Sequence, residues 1–352
     1  MTVSSLISSL PKLKKAGDKQ FIGQLTGSSL ALAVAEFALQ HQGMVMLLVA
    51  DTPSALRLEQ EVNFFLQGHK QVLSLPDWET LPYDSFSPHQ DIISTRLTTL
   101  YRLPQMTTGV LIVPVATLLL RCAPASYLSQ HSLLLNTGEQ RAIQSLRNQL
   151  EQAGYYQVEQ VMEHGEYSAR GSVFDLFPMG SAHPYRLDFF DDEIETIKEF
   201  DPDTQRSTHA VDAIELLPAR EFPTDKAAIE RFRSQYRERF NASREAQSVY
   251  QQVTKGTFPA GIEYYLPLFF EQTASLFDYL PDTTGIAVIG DIQHAATHFL
   301  TDVEQRYENR RYDIQRPLLA PHELYLRIEE CFGKLKHFPR LHLSNELQDT
   351  SK

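Results

Sequence analysis

Apolar residues in the first third of the chain follow two alternating patterns. Residues 30–40 are rich in alanine and leucine, as in a helix, and residues 44–50 form an unbroken apolar run, MVMLLVA. Such a run predicts a strand that is buried on both faces, as in a parallel sheet. The alternation continues with a helix opened by Thr52-Pro53, strands at 71–75 and 110–113, and helices at 92–102 and 116–121. We therefore predict an open parallel α/β unit.

The pattern changes near Pro124. Residues 132–135 are strand-like, and residues 137–154 have the threonine start and glycine stop of a helix. Two short strands are predicted within residues 165–195. A helix grouped with consecutive short strands predicts a compact α+β insert, and we place its end near Leu217.

The α/β pattern returns after Pro223. Thr224 is predicted to cap a helix at 225–240, and a strand at 284–290 precedes helices at 292–307 and 322–335. We therefore predict one discontinuous parallel-sheet domain, formed by residues 1–123 and 218–335, with a small α+β domain inserted at 124–217. Residues 336–352 include a strand-like LHLS but end in polar sequence, and are predicted to be a tail or a linker to downstream domains.

Charge and cysteine content narrow the function classes. The 352 residues carry 32 Lys and Arg against 44 Asp and Glu, a formal net charge of -12. Because binding to phosphates needs clustered basic side chains, this balance opposes a dominant role in binding DNA. Cys122 and Cys331 are the only cysteines and lie far apart, which excludes a disulfide framework and makes a reducing cytoplasm the simplest location.

The candidate docking surface lies within residues 165–195. Side chains alternate between faces along a strand, so Arg186, Asp188 and Phe190 share one side while Leu187 and Phe189 share the other. Arginine beside aromatic residues is typical of interface hot spots. Two interpretations stay open: Phe190 is an interface anchor, or it turns into the core while Arg186 is merely solvated.

The amino-acid sequence of several segments resembles that of a known family. Arg170-Gly171, FDLFP at 174–178 and RLDFFDDEI at 186–194 are similar to the second domain of UvrB and of the transcription-repair coupling factor Mfd. The coupling factor also resembles residues 78–104, WETLPYDSFSPHQDIISTRLTTLYRLP. Paired UvrB motifs are similar to GIEYY at 261–265 and FDYLP at 277–281. The resemblance covers most of the chain and identifies it as a member of the UvrB-like modules.

This resemblance carries expectations about fold and partners. It implies a RecA-like parallel-sheet domain with an inserted UvrA-binding type of domain, acting as a non-catalytic adaptor that recruits UvrA to stalled transcription complexes. The family's UvrA-facing positions correspond to Arg170, Arg186 and Phe190, and truncating either arginine is expected to weaken UvrA binding with little change in stability. The other implied partners are the downstream motor and carboxy-terminal domains of the same parent protein, an ATP-dependent DNA translocase.

The same resemblance implies where the family's nucleotide site would lie in this chain, and most of the key side chains of that site are replaced. Gly27 keeps the turn of the phosphate loop, but Ser29, Leu30 and Ala31 stand at the positions of its glycine, its lysine and its magnesium ligand. After the apolar strand, Asp291 remains, while Ile292 replaces the glutamate that polarises water. We therefore expect this segment to hold no cofactor and to be no enzyme.

Three alternatives remain open. The chain could be a degenerate nucleotide-dependent enzyme that uses Gly27 and Asp291. It could be a nucleic-acid-binding module whose aromatic loop stacks Trp78, Tyr83 and Phe86 on bases, although we favour internal packing of that acidic loop. A metal site at Glu163, His164, Glu166 and His183 matches no established ligand spacing, so ordinary turn residues are favoured.

Overall fold

One parallel and one largely antiparallel sheet organise the chain. The computed structural model describes residues 13, 15, 17–240 and 247–346. Its strands are Lys19–Ile22 (β1), Met44–Val49 (β2), Val72–Ser74 (β3), Gly109–Pro114 (β4), Leu133–Asn136 (β5), Tyr156–Gln157 (β6), Glu166–Arg170 (β7), Val173–Leu176 (β8), Tyr185–Phe190 (β9), Glu193–Phe200 (β10), Ser207–Val211 (β11), Ala213–Leu216 (β12), Gly285–Ile289 (β13) and Arg340–Leu343 (β14).

Helices of unequal length connect these strands. The α-helices are Ser29–Gln40 (α1), Thr52–Leu66 (α2), Gln90–Arg102 (α3), Val115–Leu119 (α4), Ala125–His131 (α5), Ile143–Gln152 (α6), Lys226–Arg239 (α7), Val249–Thr254 (α8), Ile292–Arg310 (α9), Pro321–Leu324 (α10) and Ile328–Leu335 (α11). Short 3-10 helices lie at Leu103–Gln105, Ile262–Phe269 and Leu276–Tyr279.

The parallel sheet has the order β1-β14-β13-β2-β4-β3. Every residue of β2 and β4 is buried, as the apolar runs predict, because helices cover both faces. Alternate residues of β2 pack against α1 and α2 on one face, and the remainder pack against α3 and α9 on the other. Strands from before and after the insert share this sheet, so the predicted discontinuous α/β fold with an inserted second sheet is confirmed.

The last strand corrects the prediction for residues 336–352. β14 lies between β1 and β13 with parallel pairing to both, and Leu341 and Leu343 are buried in the core shared with α1. The prediction of a tail over this segment is therefore wrong, because only two apolar positions were available to indicate a strand of four residues. Residues 347–352 lie outside the described part. The boundaries at 123 and 217 stay a prediction.

The inserted unit holds the second sheet, of order β11-β10-β9-β8-β7-β6. Its pairs are antiparallel except β6 with β7, and β5 pairs separately with β12. The segment 165–195 contains β7, β8, β9 and the start of β10. The predicted number of two strands was therefore too low. The helix predicted from Thr137 begins at Ile143, because residues 137 and 138 form a turn.

Two helix boundaries after the insert also differ from the sequence predictions. Asp225, rather than Thr224, caps α7: its carboxylate accepts a hydrogen bond from the Ala228 amide, while the Thr224 hydroxyl donates to the Gln152 carbonyl. The helix predicted at 322–335 is divided into α10 and α11, because Tyr325 has an extended backbone and pairs with Leu120.

A buried ionic network joins α3 of the parallel unit to the segment that follows β12. Arg96 of α3 donates from Nε to Glu221 at 2.7 Å and from Nη1 to the Pro76 carbonyl at 2.6 Å. The Trp78 indole donates to the second oxygen of the Glu221 carboxylate at 2.8 Å. Arg96 and Glu221 are 1% and 3% exposed, so neither charge could find water if its partner were lost.

Among the described residues, no helix combines the length and apolar character needed to cross a bilayer.

We expect Arg96→Ala to lower the free energy of unfolding by about 3 to 5 kcal/mol, because it leaves Glu221 buried and unpaired. Chemical denaturation would measure this loss. Arg57→Ala is the control, since Arg57 is half exposed in an (i, i+4) pair with Glu61 and its loss should cost less than about 1 kcal/mol. Equal losses in the two variants would contradict a structural role for the network.

Candidate docking face

The outer face of the antiparallel sheet carries the predicted docking residues. Its side chains are Arg170, Val173, Asp175, Arg186, Asp188, Phe190 and Lys198, and we call this set the outer face. Cross-strand pairing sets Asp175 of β8 directly opposite Arg186 of β9, which is in turn opposite Lys198 of β10. Arg170 and Asp188 both pair with Val173 in the neighbouring row. The register of four strands, β7 to β10, therefore assembles these charges.

Asp175 is the centre of this face. Arg186 donates two hydrogen bonds to the Asp175 carboxylate, from Nε to Oδ1 at 2.7 Å and from Nη2 to Oδ2 at 3.0 Å. The two residues therefore form a bidentate pair. Arg170 Nη2 also donates to Oδ2, at 2.9 Å. The carboxylate is 1% exposed and so is shared by two arginines while itself shielded from water.

Arg186 is fixed by its surroundings. Its Nη1 donates to the Gln205 carbonyl at 3.2 Å, and its guanidinium carbon lies 5.1 Å from the centre of the Phe200 ring. Hydrogen bonding to Asp175 raises the pKa of the Arg186 guanidinium above its usual value. Because its side chain is 21% exposed, only part of this group is open to a partner.

Arg170 differs from Arg186 in exposure. Its side chain is 57% exposed, and the bond to Asp175 engages one of its five N–H donors. Arg170 can therefore donate to a partner without breaking its internal contact. The expectation that truncating Arg170 spares stability is consistent with this exposure. For Arg186 the geometry supports the opposite expectation, because its removal would leave the buried Asp175 without its bidentate partner.

Phe190 ends β9 on the same face and is 70% exposed, whereas its neighbour Phe189 is 5% exposed. Leu187 is fully buried on the side of Phe189, so the predicted alternation along β9 is confirmed. Of the two open interpretations, Phe190 is not a core residue. Its role in binding a partner, like those of Arg170 and Arg186, stays a prediction.

The predicted nucleotide positions are used for packing. Leu30 and Ala31 are buried against β2 and α2, and Ile292 is buried in the core on the opposite face of the sheet. Asp291 accepts a hydrogen bond from the His294 amide at 2.9 Å and so caps α9. The Ser29 hydroxyl donates to the Thr26 carbonyl at 2.7 Å, closing the turn that contains Gly27.

Backbone donors near this turn already have partners. The amides of Gln24 and Leu25 donate to the carbonyls of Glu346 and Ser344, at 3.2 and 3.0 Å, and the Ser344 amide returns a bond to Ile22. A phosphate loop needs free amides that converge on an anion. The segment after β14 therefore takes up two donors beside the position where the family binds phosphate.

The aromatic loop packs inward, as predicted for Trp78 and Tyr83. Both are buried, and the Tyr83 hydroxyl donates to the Leu319 carbonyl at 2.9 Å. Phe86 is an exception to internal packing, because it is 67% exposed. The two buried rings cannot stack on bases without unfolding the loop.

The polar cluster near His164 has structural bonds. His164 contacts Asp91 at 2.7 Å and the Ser181 carbonyl at 2.8 Å through its two ring nitrogens. Glu166 accepts from the amides of Met162 and Glu163. His183 takes part in the neighbouring turn through its amide and carbonyl. In the part of the chain that the structure describes, no group of three metal-binding side chains forms a metal site.

Comparison with known proteins gives this face its context. Residues 133–222 match the family model of the UvrB interaction domain. This segment is a UvrB interaction domain, in a chain similar to the amino-terminal part of transcription-repair-coupling factors. The chain is 54% identical over 333 residues to the factor of Escherichia coli (strain K12), covering 94% of the chain and 29% of that protein.

A second relative gives the same picture. The chain is 47% identical over 325 residues to the transcription-repair-coupling factor of Haemophilus influenzae (strain ATCC 51907 / DSM 11121 / KW20 / Rd), covering 92% of the chain and 28% of that protein. The chain therefore spans less than a third of the length of these relatives. The outer face, from Arg170 to Lys198, lies wholly inside the matched UvrB interaction domain.

Sequence reasoning missed three contributors to this face: Asp175, Phe200 and the Gln205 carbonyl. Asp175 gave a usable signal, because it stands between Phe174 and Leu176, both of which are buried on the other face. An acidic residue at such a strand position predicts an outward carboxylate, which needs a partner if it is covered. A main-chain carbonyl such as that of Gln205 carries no residue-specific signal.

Phe190→Ala should change the free energy of unfolding by no more than about 0.5 kcal/mol, because the ring is mostly solvated. Phe189→Ala is the matched control in the same strand and should cost about 3 to 5 kcal/mol, since that ring is buried. Urea denaturation of the two variants measures both values. Similar losses in the two proteins would contradict the assigned orientation of β9.

Leu30→Lys should not create ATP hydrolysis. The new side chain would start from a buried position, the neighbouring amides of Gln24 and Leu25 are occupied, and Ile292 cannot orient water. A phosphate-release assay with magnesium and ATP would test this, with wild-type protein alongside. Magnesium-dependent turnover that disappears in Asp291→Ala would contradict the prediction.

Proposed function

We propose that this chain is a non-catalytic adaptor module that binds UvrA and recruits it to stalled transcription complexes during nucleotide-excision repair. The observation that carries the proposal is the exposed Phe190 on the same rigid face as two arginines that Asp175 holds. An exposed aromatic ring beside arginine donors is the composition of an interface hot spot. The match of this segment to the UvrB interaction domain supports a partner from the UvrA class.

The hydrogen-bond donors of the outer face support an acidic contact on that partner. Arg170, Arg186 and Lys198 face Asp175 and Asp188, and Glu193 lies opposite Phe190 at the end of β9, so three cations meet three anions. The whole chain carries -12, which makes this face locally distinct. A carboxylate on UvrA could accept from the free donors of Arg170, and Phe190 would supply apolar contact.

The similarity to coupling factors extends the proposal to the parent protein. We infer that the parent is an ATP-dependent DNA translocase of the cytoplasm, and that its downstream motor and carboxy-terminal domains are further partners of this segment. The substituted nucleotide positions, Leu30 and Ile292, support a segment that leaves catalysis to the motor. Binding of DNA by this segment itself would be weak.

Two other classes are separated by direct measurement. A nucleic-acid-binding module would bind duplex DNA with an affinity that falls steeply with salt, and exposed Phe86 is the one observation that favours it. A degenerate nucleotide-dependent enzyme would show magnesium-dependent turnover. The burial of Trp78 and Tyr83 and the occupied amides beside Gly27 favour the adaptor.

Arg170→Ala should weaken binding of purified UvrA by about 1.5 to 3 kcal/mol, the range for hydrogen bonds to charged groups, with nearly unchanged thermal stability. Isothermal titration calorimetry would give the affinity. Arg57→Ala is the control, because Arg57 has a similar exposure (51% against 57%) on a different surface and should bind UvrA normally. Wild-type affinity in Arg170→Ala would place the interface elsewhere.

A further inference from the structure

The outer face contains a carboxylate that a partner cannot reach. The Asp175 side chain is only 1% exposed, yet both predicted docking arginines converge on it. We propose that Asp175 is a positioning residue, which holds the two guanidinium groups in the orientation that a partner binds. This inference rests on the proposed binding of UvrA and adds to it a residue that contributes to affinity without touching UvrA.

The geometry shows how one carboxylate orients two side chains. Oδ2 accepts from Arg186 Nη2 at 3.0 Å and from Arg170 Nη2 at 2.9 Å, so both guanidinium groups meet at one oxygen. Arg186 also donates Nε to Oδ1 at 2.7 Å, which fixes the plane of its guanidinium. The two groups arrive from β7 and β9, on opposite sides of the strand that carries Asp175.

Electrostatics makes the carboxylate necessary for this arrangement. Two guanidinium ions that share one neighbourhood repel each other, and an intervening anion turns that repulsion into attraction. With Asp175 ionised, the three groups sum to one positive charge. Without it, Arg170 is free to rotate into solvent, because 57% of its side chain is already exposed.

Asp175 would raise the affinity for UvrA by restricting the arginine side chains before binding. Arginine has large rotamer entropy, and a side chain that is ordered before binding loses less on binding. Arg186 has further support from the Gln205 carbonyl and the Phe200 ring. Asp175 provides the sole hydrogen bond seen for the Arg170 side chain among the described residues, so Arg170 should depend on Asp175 most strongly.

The test compares Asp175→Asn with wild type in UvrA binding by calorimetry. The asparagine keeps the shape but removes the charge and two acceptor sites. We expect roughly 5- to 100-fold weaker binding, from the freedom of two side chains that must be ordered on association. In an Arg170→Ala background the same substitution should cause a clearly smaller loss, because one of the side chains it positions is absent.

Ile197→Val is the control for general loosening of the sheet. Ile197 is buried on the core face of β10, next to β9, and its truncation should lower stability without moving UvrA affinity. Asp175→Glu, which keeps the charge and displaces it by one methylene, serves as a second variant if the asparagine protein does not fold. Its binding should also be weaker than wild type, since the shared oxygen is moved.

Hydrogen exchange of the Arg186 Nε–H, followed by nitrogen-15 NMR, tests the positioning without UvrA. We expect slow exchange in wild type and faster exchange in the folded Asp175 variant; unchanged exchange would overturn the inference. Wild-type or tighter UvrA binding by a folded Asp175 variant would overturn it too, as would an equal loss in Ile197→Val. Failure of wild-type protein to bind UvrA, with the exchange difference present, would instead refute the proposed function.

Discussion

The buried pair between Arg96 and Glu221 is the constraint on which the arrangement of the two sheets depends. Arg96 lies on a helix of the parallel unit, and Glu221 lies in the segment between β12 and α7. A buried ion pair is tolerated only when its remaining donors and acceptors are satisfied. Here the Pro76 carbonyl and the Trp78 indole complete it, so a single carboxylate joins the aromatic loop, α3 and the segment after β12.

Asp175 is a second buried carboxylate that accepts hydrogen bonds from two side chains, but its partners reach the surface. Glu221 and Arg96 are both shielded from water, which makes their network purely structural. Asp175 is equally buried, but its arginines are 21% and 57% exposed. The same chemistry therefore presents donors to solvent in a fixed orientation, which is what the proposed adaptor function needs. Because β7, β8 and β9 supply one member each, a shift in strand register would dismantle the face.

The sequence predicted those features that follow from periodicity. The apolar run of β2 indicated a parallel strand buried on both faces, and alternation along β9 correctly separated Phe189 from Phe190. It failed where a contact distant in sequence decides. The strand-like pattern of LHLS is visible in the sequence, but its membership of the sheet depends on its place between β1 and β13, which four residues followed by polar sequence do not reveal.

The same limit applies to the docking face. The resemblance to UvrB-like modules indicated Arg170, Arg186 and Phe190, but the pairing of both arginines with Asp175 depends on register between strands up to 11 residues apart. The consequence is physical: Arg186 stabilises the fold as well as offering donors, whereas Arg170 is largely free to act at the surface. A loss of binding on truncating Arg186 would therefore mix two causes, and Arg170 is the cleaner probe.

The nucleotide positions show how a changed motif and a changed fold support each other. Leu30 and Ile292 stand at positions where the family has charged side chains, so the charge is lost. The turn at Gly27 remains, however, and by itself could still offer amides to an anion. The segment after β14 removes part of that possibility, because the Ser344 and Glu346 carbonyls occupy the amides of Leu25 and Gln24. Those bonds extend the pairing of β1 with β14. Restoring a phosphate site would therefore require opening the edge of the sheet as well as replacing side chains.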